Sequence, residues 1–509
     1  MDRARIWRGL LVLAVLLGIT CRLRAYLART SFWNDEAFIV LNVTDHRASE
    51  LMGPLDYNQA APPGFLWIER AAAIGLGTSE YSLRLFPLAA GLGAMGFFAA
   101  LAWRAFPGPA AVFAGGWFAF NEKLITYGAE VKQYSSDALL AVVLIWLAIP
   151  AAKFAPLGSS NSDSPTPTSP TPAGRFVLLA LTAAIGVWVS HPAAIIFGAI
   201  SLALAPAGLR EGWRGRMAWV AGNAMVLASF VLLYRLSIVR EQSPYLYSFW
   251  AAGFPPTQHP ARVPIWLAGG LYDLCKLAYP SMVIATALLT ALGLIELCRR
   301  QSFLLLSACV GPVALLILAA FARKYPFSPS RLSLFLLPEL LLLCAAGAAL
   351  LIDRSRATLG IARWILPALL LGCGIVQAGG RVIEPHFRSH LRPTVQYVRA
   401  HRQPGDALFI LGPPFYRHME FYCYWRHPLG PVFSSLPAAD DLPVGRFWLV
   451  FAFTPGHPTR YIQQAVDEAR SVAVQQGEPF YVSEGSAAYL FDRPAGLPSS
   501  RRAISISPE

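Results

Sequence analysis

The feature that most constrains this chain is its series of long apolar runs, since about 20 consecutive apolar residues suffice to cross a bilayer as a helix. We expect spans at 9–27, 81–103, 109–127, 134–152, 176–190, 193–207, 217–237, 281–297, 302–321, 332–352 and 364–379. Only 14% of the residues are charged and 55% are hydrophobic, whereas a soluble domain is about a quarter charged. The sequence therefore predicts a polytopic α-helical membrane protein with about eleven transmembrane helices.

The arginines set the expected orientation. Arg3, Arg5 and Arg8 precede the first run, and no convincing cleavage site follows it. By the positive-inside rule this run is an uncleaved span with a cytoplasmic N-terminus. The same rule places most other arginine-rich loops on the cytoplasmic side. The net charge of +13 is then topogenic or serves an anionic ligand, and no basic soluble segment indicates nucleic acid binding.

One apolar stretch is too short to be a span. GFLWIERAAAIGLG, residues 64–77, has 14 residues and contains Glu69 and Arg70. Counting it as a span would put Arg104 on the outer side, against the positive-inside rule. We interpret it as a helix lying in the membrane interface, within a first outer loop at 28–80 that contains such interfacial helices.

The chain changes character near residue 380. Residues 1–380 form the predicted transmembrane module, interrupted by a Pro/Ser/Thr-rich cytoplasmic linker at 154–174 that we expect to be disordered. Residues 381–509 contain no span. Strand patterns such as ALFILG, RFWLVFAF and GSAAYLFDR alternate there with helix patterns such as RPTVQYVRAHR and TRYIQQAVDEARSVAVQQ. This alternation predicts a small extracytoplasmic α/β domain.

Two adjacent acids follow the first span, in SFWNDEAFIV. A carboxylate at the bilayer edge among aromatic residues is partly shielded from water, which makes it more basic, as a general base for a hydroxyl must be. Asp35 is the candidate base, with Glu36 orienting it or holding a cation. The alternative is an acidic helix cap or a solvated loop.

Two predicted outer turns carry further candidates. YGAEVKQYSSD contains Glu130, a second acid, with Lys132 and Tyr134 as candidate substrate-binding residues; a plain capping turn is the alternative. The cations of ARKYPFSPSR, namely Arg323, Lys324 and Arg331, break the positive-inside pattern. They either snorkel to lipid headgroups or bind a phosphate. The seven cysteines show no CxxC or zinc-like spacing, and no metal-ligand set is evident.

The order and spacing of WNDEA, YNQAAPPGFLWIERAAAIGLGTSEYSLRLFPLAAG, YGAEVKQYSSDALLAVVLIWLA and KYPFSPSRLSLFLLPELLLL resemble the glycosyltransferase C (GT-C) superfamily. The similarity is greatest to bacterial integral-membrane enzymes of the dolichyl-phosphate-mannose–protein mannosyltransferase and aminoarabinose lipid A transferase type. The resemblance implies a polyprenyl-phosphate sugar donor, action at the outer face of a bacterial inner membrane, Asp35 as catalytic base and Glu130 as a second acidic site. No DxD pair stands in the second outer turn, so metal dependence is open and a divalent cation remains compatible.

These observations predict an inverting glycosyltransferase, of hexosyl or pentosyl type, that acts on a hydroxyl of an envelope glycan, lipid or protein. A transporter or flippase of lipid-linked saccharides is the alternative, and a non-catalytic membrane scaffold is a third. An enzyme would gather Asp35, Glu130 and Arg331 around one outward cavity, whereas a transporter typically has polar residues at the membrane midplane and two related halves.

Overall fold

The structure is a computed structural model. It describes residues 3–149, 172–210, 212–241, 243–328, 330–354, 356–385, 388, 390–411, 417–425, 432–433, 439–452, 460–482 and 485–495. The chain forms two compact units. Unit 1 comprises Met1–Ala28 and His46–Glu384, and unit 2 comprises Arg29–Asp45 and Pro385–Glu509. The short segment after the first span is thus grouped with the C-terminal region, a long-range association that no local sequence pattern indicates.

Helices account for most of the chain up to residue 384. They are α1 (Arg3–Leu27), α2 (Asn34–Asp45), α3 (Pro63–Leu76), α4 (Glu80–Ala105), α5 (Pro109–Ala119), α6 (Glu122–Tyr127), α7 (Tyr134–Ala148), α8 (Pro172–Gly186), α9 (Ala193–Arg210), α10 (Trp213–Leu233), α11 (Val239–Glu241), α12 (Pro244–Phe249), α13 (Val263–Ala278), α14 (Val283–Arg299), α15 (Phe303–Phe321), α16 (Leu337–Arg354), α17 (Arg356–Leu359) and α18 (Ile365–Ile383). A π-helical turn at Tyr234–Ile238 joins α10 to α11. Of these helices, α2 belongs to unit 2.

The apolar pattern is confirmed as helical and membrane-like. Within the described residues, eight helices are long and apolar enough to cross a membrane, and α5, α7 and most of α8 are shorter apolar helices. The expected count of eleven spans stays a prediction. Stretch 64–77 is a helix, α3, which starts at Pro63, where the missing N–H of proline costs nothing. Its interfacial placement stays a prediction, and the predicted linker 154–174 lies outside the described residues except for 172–174.

The prediction of one continuous span at 109–127 was wrong. Helix α5 ends at Ala119, and Asn121 starts α6 by accepting hydrogen bonds from the N–H groups of Lys123 and Leu124. The carbonyls released by the break are satisfied from other helices. Arg22 of α1 donates to Ala119 O at 2.8 Å and to Phe118 O at 3.1 Å. A helix can break at membrane depth only where neighbouring groups supply such bonds, and an apolar run gives no sign of them.

Glycines allow a close contact between two helices of unit 1, α14 and α16. A Cβ at Gly293 would lie 1.9 Å from Leu343 O, and one at Gly347 would lie 2.1 Å from Leu289 O. Two backbones can approach this closely only where small residues face each other. The crossing buries α16, the helix that follows the predicted basic outer turn.

Unit 2 contains a mixed six-stranded sheet of β1 (Ala407–Leu411), β2 (Val432–Phe433), β3 (Gly445–Ala452), β4 (Val474–Gln475), β5 (Phe480–Val482) and β6 (Ser486–Arg493). The strand order is β2-β1-β3-β6-β4, with β5 also paired to β6. β1 is parallel to β2 and β3, whereas β6 is antiparallel to its neighbours. The three strands predicted from the sequence are β1, β3 and β6, and the α/β character of this region is confirmed.

Helices cover both faces of this sheet. On one face, Phe409 and Leu449 pack with helix α21 (Arg460–Val472). On the other, Leu408 and Trp448 pack with helices α19 (Leu391–His401) and α20 (Arg417–Tyr424). The alternation of neighbouring side chains between the two cores is what strand periodicity requires. Helix α20 was not predicted from the sequence.

Candidate functional site

The acid pair lies in the first turn of α2, in unit 2. The N–H groups of Glu36 and Ala37 both donate to Trp33 O at 2.9 Å. The Glu36 carboxylate reaches back to accept the Trp33 N–H, with Oε2 at 3.4 Å. This arrangement is the carboxylate half of a capping box, and Glu36 is fully buried. Asp35, one residue earlier, is only half-buried, so of the two acids it is the more accessible to a ligand.

Two polar atoms beside Asp35 lack a hydrogen bond within the described residues. They are Trp33 Nε1, a donor, and Asn34 Oδ1, an acceptor, and both are buried. Buried polar atoms of native proteins are nearly always hydrogen-bonded, to protein or to water. The vicinity of Asp35 therefore offers one donor and one acceptor to a polar ligand such as a hydroxyl.

The predicted outer turn between α6 and α7 is buried in unit 1. Glu130 and Lys132 are each 6% exposed, and Lys132 Nζ donates to Gln59 Oε1 at 3.0 Å. Tyr134 begins α7 and packs edge-on against Tyr127, with ring centroids 4.9 Å apart. The residue before α7, Gln133, makes no side-chain cap hydrogen bond, and the functional role of this turn stays a prediction.

The partner of Lys132 sits beside a strained backbone. Tyr57 and Asn58, which directly precede Gln59, have φ values of 62° and 52°. This left-handed conformation is costly for a residue with a side chain, on the order of 1 kcal/mol or more each. These two residues directly precede the Gln59 amide that meets the Lys132 ammonium group.

The basic turn after α15 orients two of its cations onto aromatic rings. Lys324 Nζ donates to Tyr234 Oη at 3.2 Å and lies 5.8 Å from the centre of that ring. The hydrogen bond to Tyr234 raises the pKa of Lys324, so its charge is secure at neutral pH. The Arg331 guanidinium lies 5.8 Å from the centre of the Trp250 ring. Arg323 is exposed, with φ of 53°.

A cavity of about 170 Å³ opens beside Lys324. Its walls come from five segments of unit 1 that are far apart in sequence. The lining residues are Ala60, Gln133, His191, Ile238, Glu241, Leu246, Tyr247, Trp250, Phe254, Lys324, Tyr325, Pro326 and Leu332. The cavity thus brings together one predicted residue, Lys324, with sequence neighbours of three others: Gln133 next to Lys132 and Tyr134, and Leu332 next to Arg331.

The cavity walls combine aromatic faces with hydrogen-bonding groups. Glu241 accepts the Ser237 hydroxyl at 2.7 Å. Gln133 Oε1 and His191 Nε2 are buried without a hydrogen bond in the described part of the chain. Burial lowers the pKa of His191 to about 4, so its ring is neutral at physiological pH. Such a lining suits a ligand with hydroxyl groups and apolar faces.

Sequence reasoning did not identify Glu241, His191 or Trp250 as site residues. Glu241 follows a π-helical turn, a feature that often marks functional positions but cannot be read from the sequence. His191 directly follows the predicted span at 176–190. These residues meet because unit 1 folds, and no local pattern connects them.

The acids Asp35 and Glu36 belong to unit 2, whereas Glu130 and the candidate cations belong to unit 1. The convergence of Asp35 with Glu130 and Arg331 in one cavity stays a prediction. No group of three or more His, Cys, Asp or Glu side chains among the described residues is placed to hold a metal ion, which leaves the question of a divalent cation open.

The chain was compared with known proteins. No family model matches it, and no curated protein sequence matches it. Solved structures do. ArnT from Cupriavidus metallidurans bound to undecaprenyl phosphate is 13% identical, with a TM-score of 0.52 over 97% of this chain and 99% of that one. The oligosaccharyltransferase of Archaeoglobus fulgidus, in complex with Zn and sulfate, is 12% identical, with a TM-score of 0.52 over 94% of this chain and 72% of that one.

A third similar structure is the mycobacterial arabinofuranosyltransferase AftD, at 16% identity and a TM-score of 0.51. Its alignment covers 96% of this chain and 42% of AftD. All three are GT-C glycosyltransferases. At such low identity the likeness establishes the fold: this chain has the GT-C architecture that its sequence resembles, in an integral membrane protein.

Proposed function

We propose that the chain is an inverting glycosyltransferase that moves a sugar from a polyprenyl-phosphate donor to a hydroxyl acceptor at the non-cytoplasmic membrane face. The observation that carries the proposal is the cavity of unit 1, in which the ammonium group of Lys324 borders a wall of aromatic and hydrogen-bonding groups. Two similar structures hold lipid carriers of this class: undecaprenyl phosphate in ArnT and dolichol phosphate in the archaeal oligosaccharyltransferase AglB.

Asp35 is the proposed base. Its carboxylate accepts the proton of the acceptor hydroxyl while the oxygen attacks the anomeric carbon. The bond from that carbon to the phosphate oxygen breaks, and polyprenyl phosphate leaves with the electron pair. One such displacement inverts the anomeric centre. Support comes from the division of roles within α2, where Glu36 is engaged in the cap, whereas Asp35 is half-buried and follows Trp33 and Asn34, whose Nε1 and Oδ1 atoms lack a hydrogen bond in the described residues.

The cations of unit 1 are proposed to hold the leaving group. A departing phosphate needs fixed positive charge more than a proton. Lys324 borders the cavity, and the buried Lys132 lies next to Gln133 of its wall. Arg331, fixed over Trp250, and the exposed Arg323 extend this positive region. Glu130, buried in the same turn as Lys132, positions the acceptor in this scheme.

The sugar is proposed to occupy the polar part of the cavity. Trp250 and Tyr247 offer aromatic faces that pack against the apolar side of a sugar ring, and Gln133 and His191 offer unpartnered atoms for its hydroxyls. A cavity of about 170 Å³ has room for a sugar unit. A panel of hexose and pentose donors distinguishes the two sugar classes.

The location follows from charge asymmetry. We place the protein in a bacterial inner membrane with a cytoplasmic N-terminus, an extracytoplasmic unit 2, and an acceptor that is an envelope glycan, lipid or protein. Arg8 and Arg104 then lie on the cytoplasmic side. The cations of the turn that contains Lys324 bind the phosphate of the donor and do not determine the orientation of the spans.

The test uses purified full-length protein and a panel of undecaprenyl-phosphate-linked hexoses and pentoses, with release of undecaprenyl phosphate as the readout. We expect the wild type to turn over at least one donor in the presence of a total envelope extract as acceptor. Mass spectrometry of the same extract should find one added sugar. No turnover of any donor together with ATP-independent movement of these lipids across proteoliposomes would favour a flippase instead.

A further inference from the structure

We infer that unit 2 holds helix α2, which carries Asp35, in a fixed position, and that Tyr424 is a positioning residue for Asp35. Segment Arg29–Asp45 is separated from the rest of unit 2 by more than 300 residues, yet it is grouped with that unit. The inference rests on the proposed role of Asp35 as the base. It assigns unit 2 a part in catalysis other than acceptor binding or covering a cavity.

Helix α2 packs on helix α20 within unit 2. Its residues from Glu36 to Val43 are all buried in the folded chain. Asn42 closes its amide onto Phe38 O at 2.7 Å. Because that asparagine is buried, the Asn-Val-Thr sequence at this site is also closed to glycosylation.

The segment before α2 in turn completes the C-terminal domain. Helix α19 starts at Leu391, and its flanking residue His390 provides no side-chain cap. The Ser31 hydroxyl takes that role, accepting the Arg392 N–H at 3.1 Å. An N-terminal N–H group of a helix has no partner within the helix, so this contact fixes Ser31 to the start of α19.

The strongest fixation is at Phe32. Its backbone N–H donates to the Tyr424 hydroxyl at 2.6 Å. The two rings are stacked, with centroids 5.7 Å apart and planes inclined by 21°, and Phe32 is fully buried. Tyr424 therefore holds both the backbone and the side chain of a residue only three positions from Asp35.

Two more residues of the C-terminal part of unit 2 contact the segment around Asp35. The Arg388 guanidinium lies 4.3 Å from the centre of the Trp33 ring. Cys423, next to Tyr424, directs its Sγ to Ala37 O at 3.6 Å. Residues 31–33 and 37 are thus held on both sides of Asp35 by one unit. A displacement of about 1 Å of a catalytic group costs up to a hundredfold in rate. Loss of one of these contacts should therefore lower the turnover rate.

The test is Tyr424→Phe, which removes the hydroxyl and keeps the ring stack on Phe32. With the undecaprenyl-phosphate sugar donor found above, we expect kcat to fall about tenfold, the size of one lost hydrogen bond, and the donor KM to stay within twofold. Hydrogen exchange should become at least fivefold faster in a peptide covering residues 31–45. Tyr397→Phe is the matched control, because the Tyr397 hydroxyl makes no hydrogen bond within the described residues; it should leave both readouts unchanged.

A double variant separates positioning from a structural role. If Tyr424 acts through Asp35, then adding Tyr424→Phe to Asp35→Asn lowers the residual rate no further. A further tenfold loss in the double variant would overturn the inference. Wild-type kcat and wild-type exchange in Tyr424→Phe would also overturn it. Should Tyr424→Phe express poorly, Ser31→Ala provides the same tests at the second contact, with the same outcomes.

The two proposals fail differently. Wild-type turnover by Asp35→Asn removes Asp35 as the base, and with it the positioning role of Tyr424, whereas sugar transfer by the protein still stands. Absence of turnover of every donor by the wild type removes the proposed function itself. Loss of turnover in Asp35→Asn with unchanged kcat in Tyr424→Phe leaves the proposed function standing and removes only the positioning role.

Discussion

Replacement of Arg22 by methionine tests whether the break between α5 and α6 depends on one buried guanidinium group. Arg22 is 1% exposed and donates to carbonyls of Phe118 and Ala119 on another helix. Methionine fills similar space without donors, so both carbonyls lose a partner. Each unsatisfied buried carbonyl costs about 1–3 kcal/mol, or about 2–6 kcal/mol for the pair.

The opposing effect is that the wild type carries the free-energy cost of desolvating a buried charge, which amounts to several kcal/mol. The methionine variant does not carry this cost. The guanidinium recovers much of it through its hydrogen bonds and through the Phe118 ring 5.9 Å away. We therefore expect a net loss of about 2–4 kcal/mol, and a midpoint of thermal unfolding lower by on the order of 5 °C.

A thiol-reactive fluorophore can follow unfolding in detergent, because Cys309, Cys344 and Cys423 are buried in the folded protein. Arg24→Met on the same helix is the control, since the Arg24 side chain makes no hydrogen bond or ion pair in the described part of the chain, and it should shift the midpoint by about 1 °C or less. A methionine variant at position 22 as stable as the wild type, or more stable, would refute the account of the break.

Four further outcomes are expected. Glu36→Gln should keep wild-type turnover because glutamine also completes a capping box, whereas Glu36→Ala should lower the unfolding midpoint; a rate loss in Glu36→Gln as large as in Asp35→Asn would contradict the separation of roles. Lys132→Met should weaken binding of undecaprenyl phosphate about tenfold to a hundredfold, the size of a charged hydrogen bond. Native mass spectrometry measures this affinity, with Lys123→Met as the control. Equal binding by both variants would exclude Lys132 from the phosphate site. Trp250→Leu should raise the donor KM with little change in kcat, and an unchanged KM would remove the stacking role. Burial alone would raise the pKa of Asp406, but hydrogen bonds from Gln403 N–H, Trp448 and Arg446 lower this pKa. The ionised Asp406 therefore contributes its full stabilisation above the ordinary carboxyl pKa, and this contribution is lost as the pH falls through the lowered pKa. Asp406→Asn should reduce the slope of the free energy of unfolding against pH between pH 5 and about pH 2, and an unchanged slope would contradict the assignment.

Local periodicity was sufficient to predict most elements of the fold. The run predicted at 81–103 is helix α4 at Glu80–Ala105, and strand pattern ALFILG is β1 at Ala407–Leu411. The interruption after Ala119 escaped prediction because its cause is the side chain of Arg22, almost 100 residues away. The sequence shows which segments are apolar, but it does not show which buried donors let a helix stop.

The candidate site was predictable only in part, for a related reason. The deviation from the positive-inside pattern in a predicted outer turn indicated Lys324, and Lys324 does border the cavity. Glu241 and His191 join that cavity through contacts between distant segments, and the contact of Phe32 with Tyr424 joins residues almost 400 positions apart. Such pairings depend on tertiary packing, and they leave no periodic or compositional trace in a single sequence.

The most direct test of the central claim separates donor binding from chemistry at Asp35. The measurement is a single-turnover experiment with Asp35→Asn and wild-type protein, each loaded with the undecaprenyl-phosphate sugar donor that the wild type uses. The account predicts equal donor affinity and a rate of sugar transfer at least a hundredfold lower in the variant, the scale expected for loss of a general base. Transfer at the wild-type rate by Asp35→Asn would contradict it.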